Sequence, residues 1–231
     1  MEFEIAIVLL CSLGFLVGAA AVLRRALVGA EACRRIVRVA TGLFLAWWVS
    51  VVSAAWLGMF EIAPTGGFPK FLVGWVPAFA AMALWATSTR ARGIVDRLSP
   101  VWLVGFQTFR LVGVAMLWGA WRGDLPPVFA VPAGIGGVLT GLTAPWVAWA
   151  LFRTRTDSVK WAKRWNALGL ADIAVAVVLG GLSGPGPDQI LSVGFPSSAA
   201  MAFPLVVTPA FLIPLALLGH FAVWRTLRLR P

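Results

Sequence analysis

Seven long apolar runs divide the chain, and they restrict its fold more than any other feature of the sequence. They are predicted at about 3–22, 36–60, 71–87, 101–121, 134–152, 165–183 and 198–224. A helix of about 20 residues crosses the roughly 30 Å hydrocarbon core of a bilayer, so each run is long enough to span it, the third with its flanks. The alternating segments of a membrane β-barrel are absent. The pattern predicts an all-α polytopic membrane protein, a bundle of seven transmembrane helices forming one domain over residues 1–231.

The composition agrees with a lipid environment. Hydrophobic residues make up 60% of the chain, charged residues 12%, and the mean hydropathy is +0.90. A soluble domain is closer to half apolar and a quarter charged. The acidic start, Met1-Glu2-Phe3-Glu4, lacks the basic n-region of a secretory signal, so the first run is interpreted as a true span. The lipid bilayer is therefore the predicted partner of this surface.

Basic residues lie at alternate ends of the apolar runs. Sixteen of the 19 Lys and Arg residues fall on one side of the predicted bundle: Arg24, Arg25, Arg34, Arg35, Arg38, Arg90, Arg92, Arg97, Arg153, Arg155, Lys160, Lys163, Arg164, Arg225, Arg228 and Arg230. Cytoplasmic loops carry such an excess, so the N-terminus is predicted outside and the C-terminus in the cytoplasm. The net charge of +10 then reflects insertion, and no nucleic-acid partner is expected.

Four polar residues lie deep inside the predicted spans. Counted from the nearest basic boundary, Arg110 lies roughly 15 Å deep, Asp172 roughly 12 Å, Gln107 roughly 10 Å and His220 roughly 8 Å. A lone charge in lipid is expensive, and Asp172 is the one intramembrane acid available to Arg110. The sequence therefore predicts an Arg110–Asp172 pair between the fourth and sixth helices, completed by Gln107 and His220, with Asn166 nearer the surface.

The role of this cluster stays open at the level of sequence. It either fixes the register of the helices or binds a ligand, proton or ion. His220 alone offers a heme only one axial ligand, and a single histidine cannot build a zinc site, so no metal site is predicted. Retinal is disfavoured because the lysines, Lys70, Lys160 and Lys163, all lie at loops. A phosphate loop and a G-x-S-x-G motif are absent, so no enzyme activity is supported, although none is excluded.

Other local patterns predict details of the bundle. Gly14–Gly18 and Gly137–Gly141 have G-x-x-x-G spacing, which favours close packing of helices within the chain. Pro204, Pro209 and Pro214 predict a kinked last helix. Residues 153–164 are predicted to form a basic loop, with a short amphipathic stretch as the alternative. Cys11 in the first span and Cys33 in a cytoplasmic loop are not expected to form a disulfide.

Three segments carry a resemblance to a family. They are Gln107-Thr108-Phe109-Arg110, the run from Trp165-Asn166 to Asp172, and the proline-rich last span that ends Pro214…His220. Over roughly Trp102 to Leu227 the chain resembles a family of uncharacterised bacterial seven-helix membrane proteins with Q-x-F-R, W-N-x-x-G-L and F-P…P…P…H patterns. The resemblance implies a bacterial cytoplasmic (inner) membrane location and directs attention to the same polar residues.

This chain departs from the family at two places. Many members carry an acid shortly after the Arg and an Asn-Asp near the fifth span. Here those regions read Val112-Gly113-Val114 and Gly134-Ile135-Gly136-Gly137. An activity that needs those groups is therefore not expected.

Two main hypotheses for function follow. The first is a membrane protein that binds or moves a small or lipidic molecule at the cluster Gln107, Arg110, Asp172, His220 and Asn166. The second is a non-catalytic subunit or scaffold of a larger membrane complex, with other membrane subunits as partners. An intramembrane enzyme is the third alternative. A water-accessible cavity that reaches Arg110 would favour the first hypothesis. A dry cluster, together with a large apolar lateral face buried by partners, would favour the second.

Overall fold

A computed structural model describes residues 2–26, 31–187 and 189–229, with no side chains described for residues 25–33. Within these ranges every regular element is a helix, and seven helices are long and apolar enough to cross a membrane. The predicted helical class and the seven apolar helices are confirmed. Cys11 is a free thiol, whereas the side chains of Arg25 and Cys33, all of Asp188 and all of Arg230 lie outside the described residues.

The first half of the chain holds two long helices and a third span that begins irregularly. The elements are α1 (Glu2–Ala26), α2 (Glu31–Trp56), a 3₁₀ segment (Lys70–Trp75), α3 (Val76–Thr87) and α4 (Thr89–Asp96). The fourth span is α5 (Pro100–Gly105), a 3₁₀ segment (Phe106–Val112) and α6 (Gly113–Trp121). The last three spans are α7 (Pro127–Phe152), α8 (Ser158–Leu182) and a π-helical turn (Thr208–Leu212) that leads into α9 (Ile213–Arg228), with a 3₁₀ segment (Ser197–Met201) before the turn.

Three helices begin several residues earlier than the sequence predicts, and the first of them is α2, which starts at Glu31 and not at residue 36. Helix α7 starts at Pro127, seven residues before the predicted 134, because proline suits the first helical position, where no N–H partner is needed. Helix α8 starts at Ser158, so the predicted basic loop at 153–164 is wrong for its second half. Lys160, Lys163 and Arg164 are helical, and long cationic side chains at a helix end can extend towards water.

Two spans are shortened at one end relative to the prediction. Helix α2 ends at Trp56 and not at residue 60, because the chain turns at Gly58, whose φ of +69° few other residues adopt. The last span begins at Thr208 and not at residue 198. Pro204 therefore lies in a turn before the span, while Pro209 falls in the π-helical turn and Pro214 at the start of α9.

The apolar core consists of two clusters at opposite ends of the bundle. The larger cluster joins α1, α2, the fourth span and the π-helical turn around Phe15, Phe109 and Phe211. The smaller cluster lies where α7 ends and α8 begins, around Val104, Leu151 and Leu227. We call this the basic end, because most Lys and Arg residues lie beyond it, and the opposite end the loop end. The polar residues of the site lie between the two clusters.

Glycines bring α7 close to the fourth span. A Cβ added at Gly137 would lie 3.2 Å from the backbone oxygen of Arg110, and one at Gly141 would lie 2.9 Å from the Leu111 nitrogen. Gly113 and Gly134 face each other across the same contact. The predicted packing role of the second G-x-x-x-G pair is therefore confirmed. In the first pair, Gly18 faces Phe106 and Gly14 faces open space.

Two tryptophans hold the irregular segments in place, and an ion pair joins two of the helices. Trp47 Nε1 donates to the Gly74 oxygen at 2.9 Å, and Trp75 Nε1 donates to the Pro209 oxygen at 2.7 Å. Carbonyl groups that irregular turns release from helical hydrogen bonds are satisfied in this way. At the basic end, Arg225 binds the Asp96 carboxylate through two nitrogens, which holds α4 against α9.

Candidate functional site

Arg110 and Asp172 form an ion pair in the middle of the bundle. The guanidinium Nη2 contacts Asp172 Oδ2, and only 7% and 12% of the two side chains are exposed. Nη1 donates to the Gly169 oxygen at 3.0 Å, one turn earlier on α8. The predicted contact between the fourth and sixth spans is thus present. It compensates both charges where lone charges are costly.

His220 continues the cluster from Arg110 towards the start of α8. Its Nε2 lies 3.0 Å from Arg110 Nη1, and its Nδ1 lies 2.8 Å from Asn166 Oδ1. A guanidinium only donates hydrogen bonds, so Nε2 must accept, and the proton must be on Nδ1 to bind the Asn166 oxygen. The hydrogen bonds therefore define His220 as a neutral imidazole protonated at Nδ1.

Asn166 belongs to the buried cluster, and its position nearer the membrane surface stays a prediction. Its side chain is 1% exposed and hydrogen-bonded to His220. The prediction counted depth from Arg164, but α8 begins at Ser158. Eight helical residues place Asn166 roughly 12 Å along the helix from that start.

Gln107 lies beside the cluster but does not contact Arg110 through a hydrogen bond. Its Nε2 donates to the Ala216 oxygen at 3.3 Å. Its Oε1 is buried with no hydrogen-bond partner among the described residues. Gln107 and Arg110 both lie in the 3₁₀ segment Phe106–Val112, where residues three apart eclipse each other. Gln107 consequently faces α9 together with Arg110.

The local sequence of α8 explains how one helix supplies three contacts. Asn166, Gly169 and Asp172 are spaced by three residues and therefore share a face. Gly169 is required at the centre, because a Cβ there would lie 2.5 Å from His220 Cε1 and 3.3 Å from Arg110 Nη1. The side chains of Asn166 and Asp172 then approach the cluster from either side of this glycine.

A cavity of about 430 Å³ ends at the ion pair. Arg110 and Asp172 line one end, and the glycine- and proline-rich loops around Gly66 and Gly186 line the other. Most of the wall between them is apolar, with Phe129, Met116 and Leu212 among its side chains. The size is within the usual range of small-molecule sites, as is the combination of an apolar wall with few polar groups.

One face of α8 forms a wall of this cavity. Asp172, Ile173, Ala176, Val177, Gly180 and Gly181 line it at helical spacing. From Asp172 to Gly181 the wall is roughly 13–14 Å long, at about 1.5 Å per residue. The small side chains at 176, 180 and 181 leave this space unfilled.

Sequence reasoning missed three contributors to the site. Gly169 supplies a carbonyl group and the space for His220, Thr208 supplies a buried hydroxyl in the cavity wall, and Ala176, Gly180 and Gly181 supply the empty volume. Gly180 and Gly181 follow Ala176 by four and five residues, so the three small residues lie on one helical face. Such a face allows either close packing of helices or a cavity, and this spacing was the sequence signal for the empty volume.

The described residues offer little for a metal or a heme. No group of three or more His, Cys, Asp or Glu side chains in these ranges could hold a metal ion. His220 is fully buried, and both of its ring nitrogens are engaged with Arg110 and Asn166. A heme bound through His220 would have to break one of these hydrogen bonds.

The fold and the cluster define a bundle of seven apolar helices with a buried ion pair beneath an apolar cavity. The chain belongs to the family described as Domain of unknown function (DUF8737), which matches residues 68–228. The match covers the whole polar cluster and the five spans from Lys70 onward. No curated protein and no solved structure matches the chain. The sequence patterns and bacterial source that the resemblance implied stay predictions.

Proposed function

We propose that the chain is a multi-pass protein of the bacterial cytoplasmic membrane that binds or moves a small or lipidic molecule in the cavity above Arg110 and Asp172. The observation that carries this proposal is that the cavity reaches both charged side chains. A scaffold needs only a closed cluster to fix its helices, and an opening of this size would weaken its packing. The cavity therefore favours the binding hypothesis over the scaffold hypothesis.

The orientation of the chain follows from its charge. With most basic residues in the cytoplasm, the N-terminus lies outside and the C-terminus inside. The loops around Gly66 and Gly186 are on the side opposite these residues, so the cavity opens towards the outer side of the membrane. A ligand then reaches Arg110 and Asp172 from outside or from the outer leaflet.

Extraction of bound molecules tests the proposal. The full chain is purified in native nanodiscs, and its small molecules are extracted and compared by mass spectrometry with those of two variants. Gly181→Leu fills the cavity, because Gly181 lines it and a Cβ there meets nothing within 4 Å. Gly42→Leu is the matched control, since Gly42 is also helical and equally open but lies on α2, away from the cavity.

We expect a compound that is retained by the wild type and by Gly42→Leu and depleted in Gly181→Leu. Bulk lipids, in contrast, should be unchanged in all three samples. If every extracted compound is present at the same ratio to protein in all three samples, the cavity holds no ligand and the proposal is wrong.

A further inference from the structure

The polar end of the cavity combines two charges that already compensate each other. Arg110 is held by Asp172, by the Gly169 oxygen and by His220 Nε2. The ion pair uses one oxygen of the Asp172 carboxylate, which can accept several further hydrogen bonds. The end of the cavity is therefore neutral in sum and keeps a hydrogen-bond acceptor in the Asp172 carboxylate.

A charged headgroup would disturb this balance. A carboxylate or phosphate placed beside the pair adds a negative charge next to Asp172, and an ammonium adds a positive charge next to Arg110. Either one leaves a net charge in a region walled by apolar side chains, where an uncompensated charge costs several kcal/mol. A neutral group that both donates and accepts a hydrogen bond avoids this cost.

The apolar wall of the cavity suits the hydrocarbon part of an alcohol. Phe129, Met116 and Leu212 are among its side chains. Thr208 also lines the cavity, but its Oγ1 is buried and does not face the space that a ligand would occupy. The Asp172 carboxylate is therefore the polar contact that an alcohol would use.

We infer that the ligand is a neutral alcohol with an apolar body, whose hydroxyl group binds Asp172. This inference rests on the proposed function. The volume of about 430 Å³ holds roughly 14 groups of water size at about 30 Å³ each, which corresponds to a medium-length chain or a short prenol. The wall of roughly 13–14 Å on α8 suits an extended chain that lies along it.

Three probes of equal chain length test this class. Binding of radiolabelled 1-dodecanol, dodecanoate and dodecylammonium is measured on the full chain in nanodiscs. For each probe, the amount bound by Gly181→Leu nanodiscs is subtracted from the amount bound by wild-type nanodiscs. This subtraction removes the part that dissolves in the bilayer. We expect the alcohol to bind at least about tenfold more tightly than either ion, since a tenfold difference needs only about 1.4 kcal/mol. Gly42→Leu should bind like the wild type.

Removal of the negative charge of Asp172 should change which of the three probes the protein prefers. In Asp172→Asn, Arg110 loses its counter-charge, so dodecanoate should gain at least about tenfold in affinity relative to the alcohol. Asp124→Asn is the control, because Asp124 and its partner Arg122 are exposed and do not line the cavity. If Asp172→Asn does not fold, the ranking of the three probes on the wild type still decides the question.

The failures of the two proposals are distinguishable. Equal or tighter binding of an ion to the wild type, with an excess over Gly181→Leu, overturns the alcohol and leaves the binding function. No excess for any probe also overturns the alcohol. The binding function itself is decided by the extraction experiment, and it is overturned if no extracted compound depends on the cavity.

Discussion

Gly169 lies directly beneath the imidazole ring of His220, and there is no room for a side chain between them. A Cβ at this position would be 2.5 Å from His220 Cε1 and 2.8 Å from Nε2. The ring is fully buried and held at both nitrogens, so it cannot move aside without breaking a hydrogen bond. This contact leaves no space for a side chain at Gly169.

Gly169→Ala should therefore destabilise the protein. Overpacking of a filled site costs about 1–3 kcal/mol, which outweighs the helix propensity that alanine adds. The measurement is thermal unfolding in detergent. Gly181→Ala is the matched control on the same helix, since its Cβ meets nothing within 4 Å, and its midpoint should be unchanged or slightly higher. Equal midpoints for the two variants would contradict the contact.

The Arg110–Asp172 pair should behave as a coupled unit. Arg110→Gln or Asp172→Asn leaves the other charge uncompensated, which costs about 3–5 kcal/mol in soluble interiors and less where water or headgroups can reach the site. The double variant should lose at least about 0.5 kcal/mol less unfolding free energy than the sum of the losses in the two single variants. The same cycle on the exposed pair Arg122–Asp124 should give about 0–1 kcal/mol. Simple addition of the two losses at Arg110 and Asp172 would show that the pair is not coupled.

His220 offers a direct test of the hydrogen-bond pattern, because it is the one histidine of the chain. In ¹⁵N NMR spectra at neutral pH, we expect a neutral ring with the proton on Nδ1 and a bare Nε2 that accepts from Arg110. Arg110→Gln should alter the Nε2 signal, whereas Arg122→Gln should not. A proton on Nε2, or on both nitrogens, would contradict the contact with Arg110.

Asp96 should make stability depend on pH in the acid range. The hydrogen bond from Arg225 holds the pKa of the Asp96 carboxyl below its ordinary value of 3.8. A carboxyl whose pKa is lower in the folded state stabilises the protein above its unfolded pKa, and this effect disappears as the pH falls through the folded pKa. The unfolding midpoints of wild type and Asp96→Asn should therefore differ slightly at neutral pH and converge below about pH 4. A difference that grows on acidification would contradict this sign.

The proposed orientation predicts which loops can be labelled from outside intact cells. In a background with Cys11→Ala and Cys33→Ala, Thr65→Cys and Val193→Cys should react with an impermeant thiol reagent. Thr156→Cys should react only after the cells are opened. These three positions are exposed, and they avoid Gly66 and Gly186, whose backbones are in contact. The reverse pattern of labelling would invert the topology.

The ion pair could be predicted from the sequence because the physical choice was narrow. An arginine near the middle of a span needs a counter-charge, and Asp172 was the one acid at a similar depth. The seven helices were equally predictable, since bilayer thickness fixes the length of an apolar run. The positions of Arg110 and Asp172 therefore required no knowledge of the packing.

Other features depend on tertiary structure and could not be predicted in the same way. The start of α8 was hidden because Lys160, Lys163 and Arg164 are typical of a loop as well as of a helix end in water. The 3₁₀ segment around Arg110 has no strong sequence signal. A cavity is an absence of side chains, so the small residues of α8 predicted close packing and an empty space equally well.

The order of groups along the cluster has a consequence for leakage across a bilayer. A cavity that is open at one end would shorten the path of a proton or a cation through the bundle. The end of the cavity at Arg110, however, is closed by a guanidinium that cannot release its proton, and the apolar cluster around Val104, Leu151 and Leu227 lies beyond it. The Asp172 carboxylate compensates the charge of this guanidinium, so the barrier beyond the pair is the apolar cluster, where an unpaired charge is costly. In the proposed orientation the cavity is thus a dead end for charge, because the apolar cluster separates it from the basic end of the bundle.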